Sequence, residues 1–343
     1  MRYPSVLKEN GTLGFVAPSF GCVTEPYFSA FKNALATFEK MGYKIKLGPN
    51  CYESSGMGIS NTPEACAKEL FDMYKSSDTD VLLSCGGGEM MCKILEFLDF
   101  EALKEADPKW FLGYSDNTNF IYPSTVMLDT AAVYGPCAPT FGMRTWHKAL
   151  VDTWDILSGK TLRVSGYDKW ESESLKSEEN PLEPYNVTEE KKLVLFNGKD
   201  KRSGLKFSGR LIGGCLDSLL TLAGTRFDKT KDFILRYKED GIVWFLESCD
   251  LSVLQMNRGL WQLKNAGWFE GATGFIIGRP YHFDDAECGF DRINAVTDVL
   301  SGMGVPICLD ADLGHLPPTV PIISGALANV TCDTNITLEY DLK

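Results

Sequence analysis

Three residues of this 343-residue chain have the types and settings an acyl-transfer relay needs: Ser115, His315 and Glu247. Ser115 ends the apolar run Trp110–Tyr114 and stands just ahead of a helix that begins near Asn117. A sharp strand-to-helix turn exposes a side chain at the carboxyl edge of a parallel sheet, and it directs helix N-terminal amides toward whatever that side chain attacks. The segment Gly113-Tyr114-Ser115-Asp116-Asn117 follows the Gly-x-Ser-x-Gly elbow except for its second glycine. The same residues also suit a plain helix cap, with Ser115 or Asp116 accepting a backbone N–H.

A serine nucleophile needs a base, and the chain has three histidines. His147 lies in the polar helix start Arg144–Lys148 and His282 in the loop Pro280–Asp284. His315 sits in Asp312-Leu313-Gly314-His315-Leu316-Pro317-Pro318, a Gly/Pro-stiffened loop just after the apolar strand Pro306–Leu309. That place suits chemistry, although a single histidine is more often structural. Glu247 closes the strand Ile242–Leu246, where a carboxylate is costly unless paired. It can hold an imidazole in the required tautomer, or it is an ordinary strand-end charge facing water. Gly86-Gly87-Gly88 follows another strand and permits a phosphate, an oxyanion or a plain tight turn. Its spacing matches neither dinucleotide nor Walker loops.

The elements that must position these groups alternate. Strands are expected at Leu13–Ala17, Tyr43–Leu47, Asp80–Ser84 and Trp110–Tyr114. Helices are expected at Pro26–Met41, Thr62–Tyr74 (Thr62 as N-cap ahead of Pro63), Met90–Leu98 and from Asn117. This βαβα rhythm predicts a Rossmann-like parallel sheet with flanking helices in residues 1–163. The second region, 206–343, reads as a smaller α/β or β-rich domain, with strands at Ile242–Glu247, Gly274–Ile277 and Pro306–Leu309 and helices at Leu251–Ala266 and Arg292–Ser301. Pro321–Ser324 and Thr337–Tyr340 read as short strands. Residues 164–205 read as a linker or active-site loop. Within them Asp168–Glu190 has no period, and its aromatics, Trp170 and Tyr185, favour the loop.

Composition bounds the class. Length suits two domains of roughly 150 residues each. A net charge of −12 argues against a nucleic-acid partner. The longest apolar stretches, such as Gly241–Leu246, are far short of a membrane span, and Met1–Gly11 lacks a signal-peptide core. The eleven cysteines are odd in number, spread from Cys22 to Cys332, and include no CxxC pair. Reduced, buried thiols in a cytoplasmic protein are therefore expected, with no metal and no cofactor.

Gly113-Tyr114-Ser115-Asp116 after a Gly-Gly loop resembles the serine peptidase family of L,D-carboxypeptidases and microcin C self-immunity proteins. So do Gly14–Ser19, Gly209-Arg210-Leu211-Ile212-Gly213-Gly214, Phe245-Leu246-Glu247 and Gly314-His315, in the same order along nearly the whole chain. The resemblance implies a Ser115–Glu247–His315 triad, an oxyanion hole from the amides of Asp116 and of Gly87 or Gly88, no metal, and a homodimer. It also implies cleavage of an amide, either in a cell-wall-derived peptide, as in peptidoglycan recycling, or in an aminoacyl- or peptidyl-nucleotide. Three features depart from the carboxypeptidase branch and favour the immunity branch. Cys85 stands where that branch usually has arginine, Ser248–Ser252 follow Glu247, and Asp168–Glu190 are inserted. In addition, Cys215 follows the Gly-Gly where the family often has asparagine. Arg210 is a candidate for a substrate carboxylate or phosphate, and Trp170 or Tyr185 for a nucleobase. The rival outside the hydrolases is a two-domain binding module in which Ser115 and the glycines hold an anionic ligand without turnover.

Overall fold

Short apolar strands and amphipathic helices alternate through the first part of the chain: β1 (Thr12–Val16), α1 (Tyr27–Lys40), β2 (Lys44–Leu47), α2 (Pro63–Lys75), β3 (Val81–Ser84), α3 (Phe100–Glu105), β4 (Trp110–Gly113), α4 (Thr118–Val126), β5 (Ala132–Tyr134) and α5 (Lys148–Leu157). The computed structural model describes residues 1–56 and 58–342. They form two compact units, one within residues 1–161, 173–186 and 321–323 and the other within residues 162–172, 187–320 and 324–342.

In the first unit the parallel strands lie in the order β2-β1-β3-β4-β5, extended beyond β5 by residues Ile322–Ser324. The order reverses between β1 and β3, so the chain leaves the carboxyl ends of these strands in opposite directions and opens a crevice there. Val81–Ser84 and Trp110–Gly113 are buried throughout, as a sheet covered on both faces requires. The edge strand β2 instead carries Lys44 and Lys46, charges that discourage a further strand from adding there. Thr62 caps α2 by accepting the Ala65 amide at 3.3 Å, with Pro63 at the first helical position as expected. One face of α1, Ala30, Phe31, Ala34 and Phe38, packs on the sheet. Phe15 meets Phe31 at 5.5 Å, and Phe38 stacks on Trp154 at 4.9 Å. Each such buried ring contributes roughly 2–3 kcal/mol.

The second unit is built on β6 (Arg163–Ser165), β7 (Lys169–Trp170), β8 (Glu189–Glu190), β9 (Val194–Asn197), β10 (Asp200–Arg202), β11 (Leu205–Cys215), β12 (Ile242–Glu247), β13 (Ala272–Gly278) and β14 (Pro306–Ala311). After Ile322–Ser324 (β15) come β16 (Leu327–Cys332) and β17 (Ile336–Asp341). Four parallel strands, β14-β13-β12-β11, form its centre. Antiparallel wings extend it, β9 and β10 beyond β14, and β16, β17 and β6 beyond β11. Among the described residues this sheet has nine strands against six, although its unit holds slightly fewer residues than the first. Its helices are α6 (Leu216–Leu222), α7 (Thr230–Arg236), α8 (Val253–Asn265) and α9 (Arg292–Leu300). Among the described residues no helix is long and apolar enough to cross a membrane.

Candidate active site

Ser115 stands where β4 ends. Tyr114 is still extended, and Ser115 turns to φ +62°, a left-handed conformation that costs a residue of this kind about 1–3 kcal/mol. The chain then enters a single 3₁₀ turn, Ser115–Asn117, and continues as α4. The Ser115 amide donates to the Tyr134 hydroxyl at 3.1 Å. The Asp116 carboxylate turns inward and accepts from the Ser19 hydroxyl (2.6 Å), the Met91 amide (2.9 Å) and Asn119 Nδ2 (2.8 Å). Burial pushes this carboxyl above its ordinary range, against the pull of those donors.

The glycine run follows β3 and lies against the serine. A Cβ on Gly87 would sit 3.0 Å from Ser115 Oγ, tighter than most side-chain contacts, and 3.8 Å from the Asp116 nitrogen. Gly88 faces elsewhere, toward Ser19 and the Phe20 ring. Among the described residues neither the Gly87 N–H nor the Asp116 N–H has a hydrogen-bond partner. Unpaired backbone donors are rare inside proteins, and two of them beside a strained serine make a ready receptor for a negative oxygen.

Beneath this loop lies a group of free thiols. Cys22 Sγ reaches the Cys85 carbonyl at 3.4 Å and Cys51 Sγ the Phe15 carbonyl at 3.3 Å. Burial pushes the Cys85 thiol well up, reinforced by its contacts with Cys22 and Cys51. Cys85, ahead of the glycine run, is thus a buried packing residue.

In the second unit Glu247 ends β12 with its side chain fully buried. His315 Nδ1 lies 2.8 Å from Glu247 Oε2. This close approach depends on Gly314 at φ +109°, where a Cβ would fall 2.7 Å from the same oxygen. A small cavity behind Glu247, lined by apolar side chains including Leu216, Leu246, Met256 and Ile277, keeps the surroundings of low polarity. Burial opposes a charged His315. The charge of Glu247, with hydrogen bonds that the imidazolium donates to Cys249 and Glu247, outweighs it and holds the imidazole well above its ordinary 6.5.

Two further groups fix the loops that carry this pair. Asp217, in the first turn of α6, accepts the amides of Cys249 (3.1 Å) and Asp250 (2.8 Å) and so holds the segment after Glu247. Asp312 opens the His315 loop. Its carboxylate accepts the Tyr167 amide at 2.8 Å and lies 3.4 Å from both Lys191 Nζ and Arg279 Nη2, all buried. Cys215 pairs in register with Glu247 at the end of β11. Burial and the charges of Glu247 and Asp217 push its thiol well up, so it stands beside the carboxylate as a neutral neighbour.

The residues suggested for substrate binding are placed differently. Arg210 stands at the opposite end of the parallel register from Cys215. Its guanidinium is engaged by Asp240, by the Gly325 carbonyl (2.8 Å) and by the Tyr237 ring (4.0 Å), so it braces the sheet and is not at the site. Trp170 is turned inward, with Arg279 on its ring at 4.1 Å and Phe283 at 5.0 Å. A buried ring with one face covered by a cation is no open platform for a base. Tyr185 is half-buried beside His147, 5.6 Å between rings. The segment Asp168–Glu190 is ordered in pieces, with β7 pairing β8 and the Glu171 amide bonded to the Pro317 carbonyl in the His315 loop.

Comparison with known proteins settles the family. The model of the LD-carboxypeptidase N-terminal domain matches residues 13–135, and that of the LD-carboxypeptidase C-terminal domain matches residues 208–330. The chain belongs to the LD-carboxypeptidase family. Family members are serine peptidases, and this chain is one of these hydrolases. Among its relatives, the Microcin C7 self-immunity protein MccF of Escherichia coli is 28% identical over 341 residues, covering 96% of this chain and 94% of that protein. A probable murein peptide carboxypeptidase of Bacillus subtilis is 26% identical over 329 residues, covering 95% and 90%. The fold is that of MccF in complex with glutamyl sulfamoyl guanosine (TM-score 0.80, 24% identity, 98% of each chain). It is also that of an MccF-like protein from Bacillus anthracis (TM-score 0.82, 19% identity, 99% and 100% covered). Both sheets of this LD-carboxypeptidase relative therefore belong to a shared architecture.

Proposed function

We propose that Ser115 is the nucleophile of this hydrolase, His315 its base and Glu247 the residue that orients the base, and that the bond cut is an amide joining an aminoacyl or peptidyl group to a nucleotide-like moiety. The observation that carries the reading is the left-handed Ser115 flanked by the two unpartnered amides of Gly87 and Asp116. Ser115 Oγ attacks the amide carbonyl and gives its proton to His315. The new tetrahedral oxyanion is held by the two fixed amides, each worth roughly 3 kcal/mol to the transition state. His315 returns the proton to the leaving nitrogen, and water attacks the acyl-serine in the second half. Glu247 stays ionised and stabilises the imidazolium.

The choice of nucleotide conjugate follows the MccF relatives, whose structures hold aminoacyl sulfamoyl nucleosides and adenosine monophosphate. The murein peptide carboxypeptidase relative supports a second substrate, a cell-wall peptide ending in a D-amino acid. In either reading the protein works in the cytoplasm as a homodimer.

A mass-spectrometric cleavage assay separates them. Wild type and Ser115→Ala are offered a murein tetrapeptide with terminal D-alanine and an aminoacyl-adenylate analogue linked through an amide. Release of the amino acid from the nucleotide by wild type alone supports the first reading, and release of D-alanine the second. Undiminished cleavage by Ser115→Ala would refute the nucleophile, and binding of both compounds without turnover would make the chain a binding module.

A further inference from the structure

The loop that places the Gly87 amide is fixed from the elbow itself. The Gly86 carbonyl accepts from two buried side chains, Ser84 Oγ at 3.0 Å and Asn117 Nδ2 at 2.9 Å. Asn117 Nδ2 also reaches the Tyr114 carbonyl at 3.0 Å, so one side chain joins the strand end before Ser115 to the glycine loop. There is room for it because Gly113 has no side chain: a Cβ there would lie 2.8 Å from Asn117 Cγ. In this chain the place of the elbow's missing second glycine is thus put to use. Farther along the loop the Asp116 carboxylate holds the Met91 amide, and the Phe20 amide donates to the Gly87 carbonyl at 3.0 Å.

The planarity of the peptide turns these bonds into directions. In a trans peptide the carbonyl of one residue and the N–H of the next point to opposite sides. Ser84 and Asn117 are fully buried and draw the Gly86 carbonyl inward, which turns the Gly87 N–H away from them. Gly88 is disposed otherwise, since its peptide is tied through the Gly87 carbonyl to Phe20 and its α-carbon faces Ser19. We infer that Asn117 is a positioning residue of the hydrolysis: by pinning the Gly86 carbonyl it aims the Gly87 N–H, and not that of Gly88, at the oxyanion. This rests on Ser115 being the nucleophile. The amide acts only on an oxygen that has become tetrahedral, so misdirecting it raises the barrier without loosening the bound substrate.

Asn117→Ala removes the donor, and Asn117→Asp sets a carboxylate against two carbonyl oxygens. For either folded variant kcat is expected to fall about ten- to a hundredfold with KM within about threefold. The affinity of a substrate-like boronic acid, which forms a tetrahedral adduct on the serine, should fall in parallel with kcat. A merely structural residue would lower the melting temperature and leave the ratio of kcat to boronate affinity scattered. Should both variants fail to fold by circular dichroism, Ser84→Ala removes the other donor to the same carbonyl, with a fall in kcat of about three- to tenfold expected. A folded Asn117 variant with wild-type kcat and boronate affinity overturns the inference, as does an unaltered Ser84→Ala where that variant must decide. Ser115→Ala run alongside keeps the two ideas apart, since activity surviving there refutes the nucleophile whatever Asn117 does.

Discussion

Ser115 and His315 both follow buried parallel strands, but they are held by different physics. Around Ser115 most of the work is done by backbone: a left-handed residue, neutral amides, and carbonyls pinned by Asn117 and Phe20, with the Asp116 carboxylate holding Ser19 and the Met91 amide. Around His315 it is done by charge, with Glu247 fully buried against the imidazole and Asp312 fully buried against Lys191 and Arg279. Backbone geometry does not titrate, whereas a buried ion pair depends on the state of both partners. Above the range in which the buried Asp116 carboxyl titrates, the nucleophile's surroundings should therefore be indifferent to pH while the base's are not.

The largest effect expected is that of Ser115→Ala, a loss of about 10⁵-fold or more in kcat with retained substrate affinity, read by single-turnover cleavage and by calorimetric binding. Glu247→Gln keeps the shape and removes the charge. It should cost about 10³–10⁴-fold in kcat, and a loss below tenfold would mean that the charge at His315 is dispensable.

The pH profile sharpens the contrast further. The base must be neutral to accept the serine proton, and Glu247 holds His315 well above 6.5. The acid limb of kcat/KM should therefore lie on the alkaline side of an ordinary histidine, and Glu247→Gln should move it down. Stability carries the opposite sign. A value raised by folding means that the imidazolium's contribution is complete below about 6.5 and fades as pH climbs through the folded value, so activity rises as this part of the stability falls. Urea midpoints measured across the same pH series would show it, and parallel rises in both would contradict the pairing.

The smallest effect on catalysis should come from Arg210→Ala. Breaking its bonds to Asp240 and Gly325 should cost about 2–4 kcal/mol of stability, seen in urea melts, while kcat stays within twofold.

Much of this was legible in the residues. Apolar runs ending at Ser115, Glu247 and near His315 announce parallel strands with polar groups at their carboxyl ends, and Thr62-Pro63 announces its helix. What was hidden depends on partners distant in the chain. Nothing near Trp170 signals that Arg279 will lie on its ring. Arg210 reads as a free cation until Asp240 and Gly325 are placed beside it. Asn117 looks like a helix start, because its role needs Gly86 and Gly113 in three dimensions. The apolar run Val194–Phe196 reads as part of the expected 164–205 loop because its strand partner, β14, lies far along the chain; it pairs antiparallel with β14 and as a hairpin with Asp200–Arg202. Cys249, which meets His315, lies only two residues past Glu247, yet nothing in its own segment marks that contact.

The two amides that have no partner among the described residues carry a thermodynamic consequence. A buried donor left without an acceptor, as at Asp116, costs the resting fold about 1–3 kcal/mol, and whatever supplies that acceptor restores the loss. Through linkage, a ligand bearing a tetrahedral oxyanion should raise the melting temperature more than a planar one bound at equal occupancy. The empty protein is in this sense its own least relaxed state, and it settles most fully around the fleeting species it exists to make.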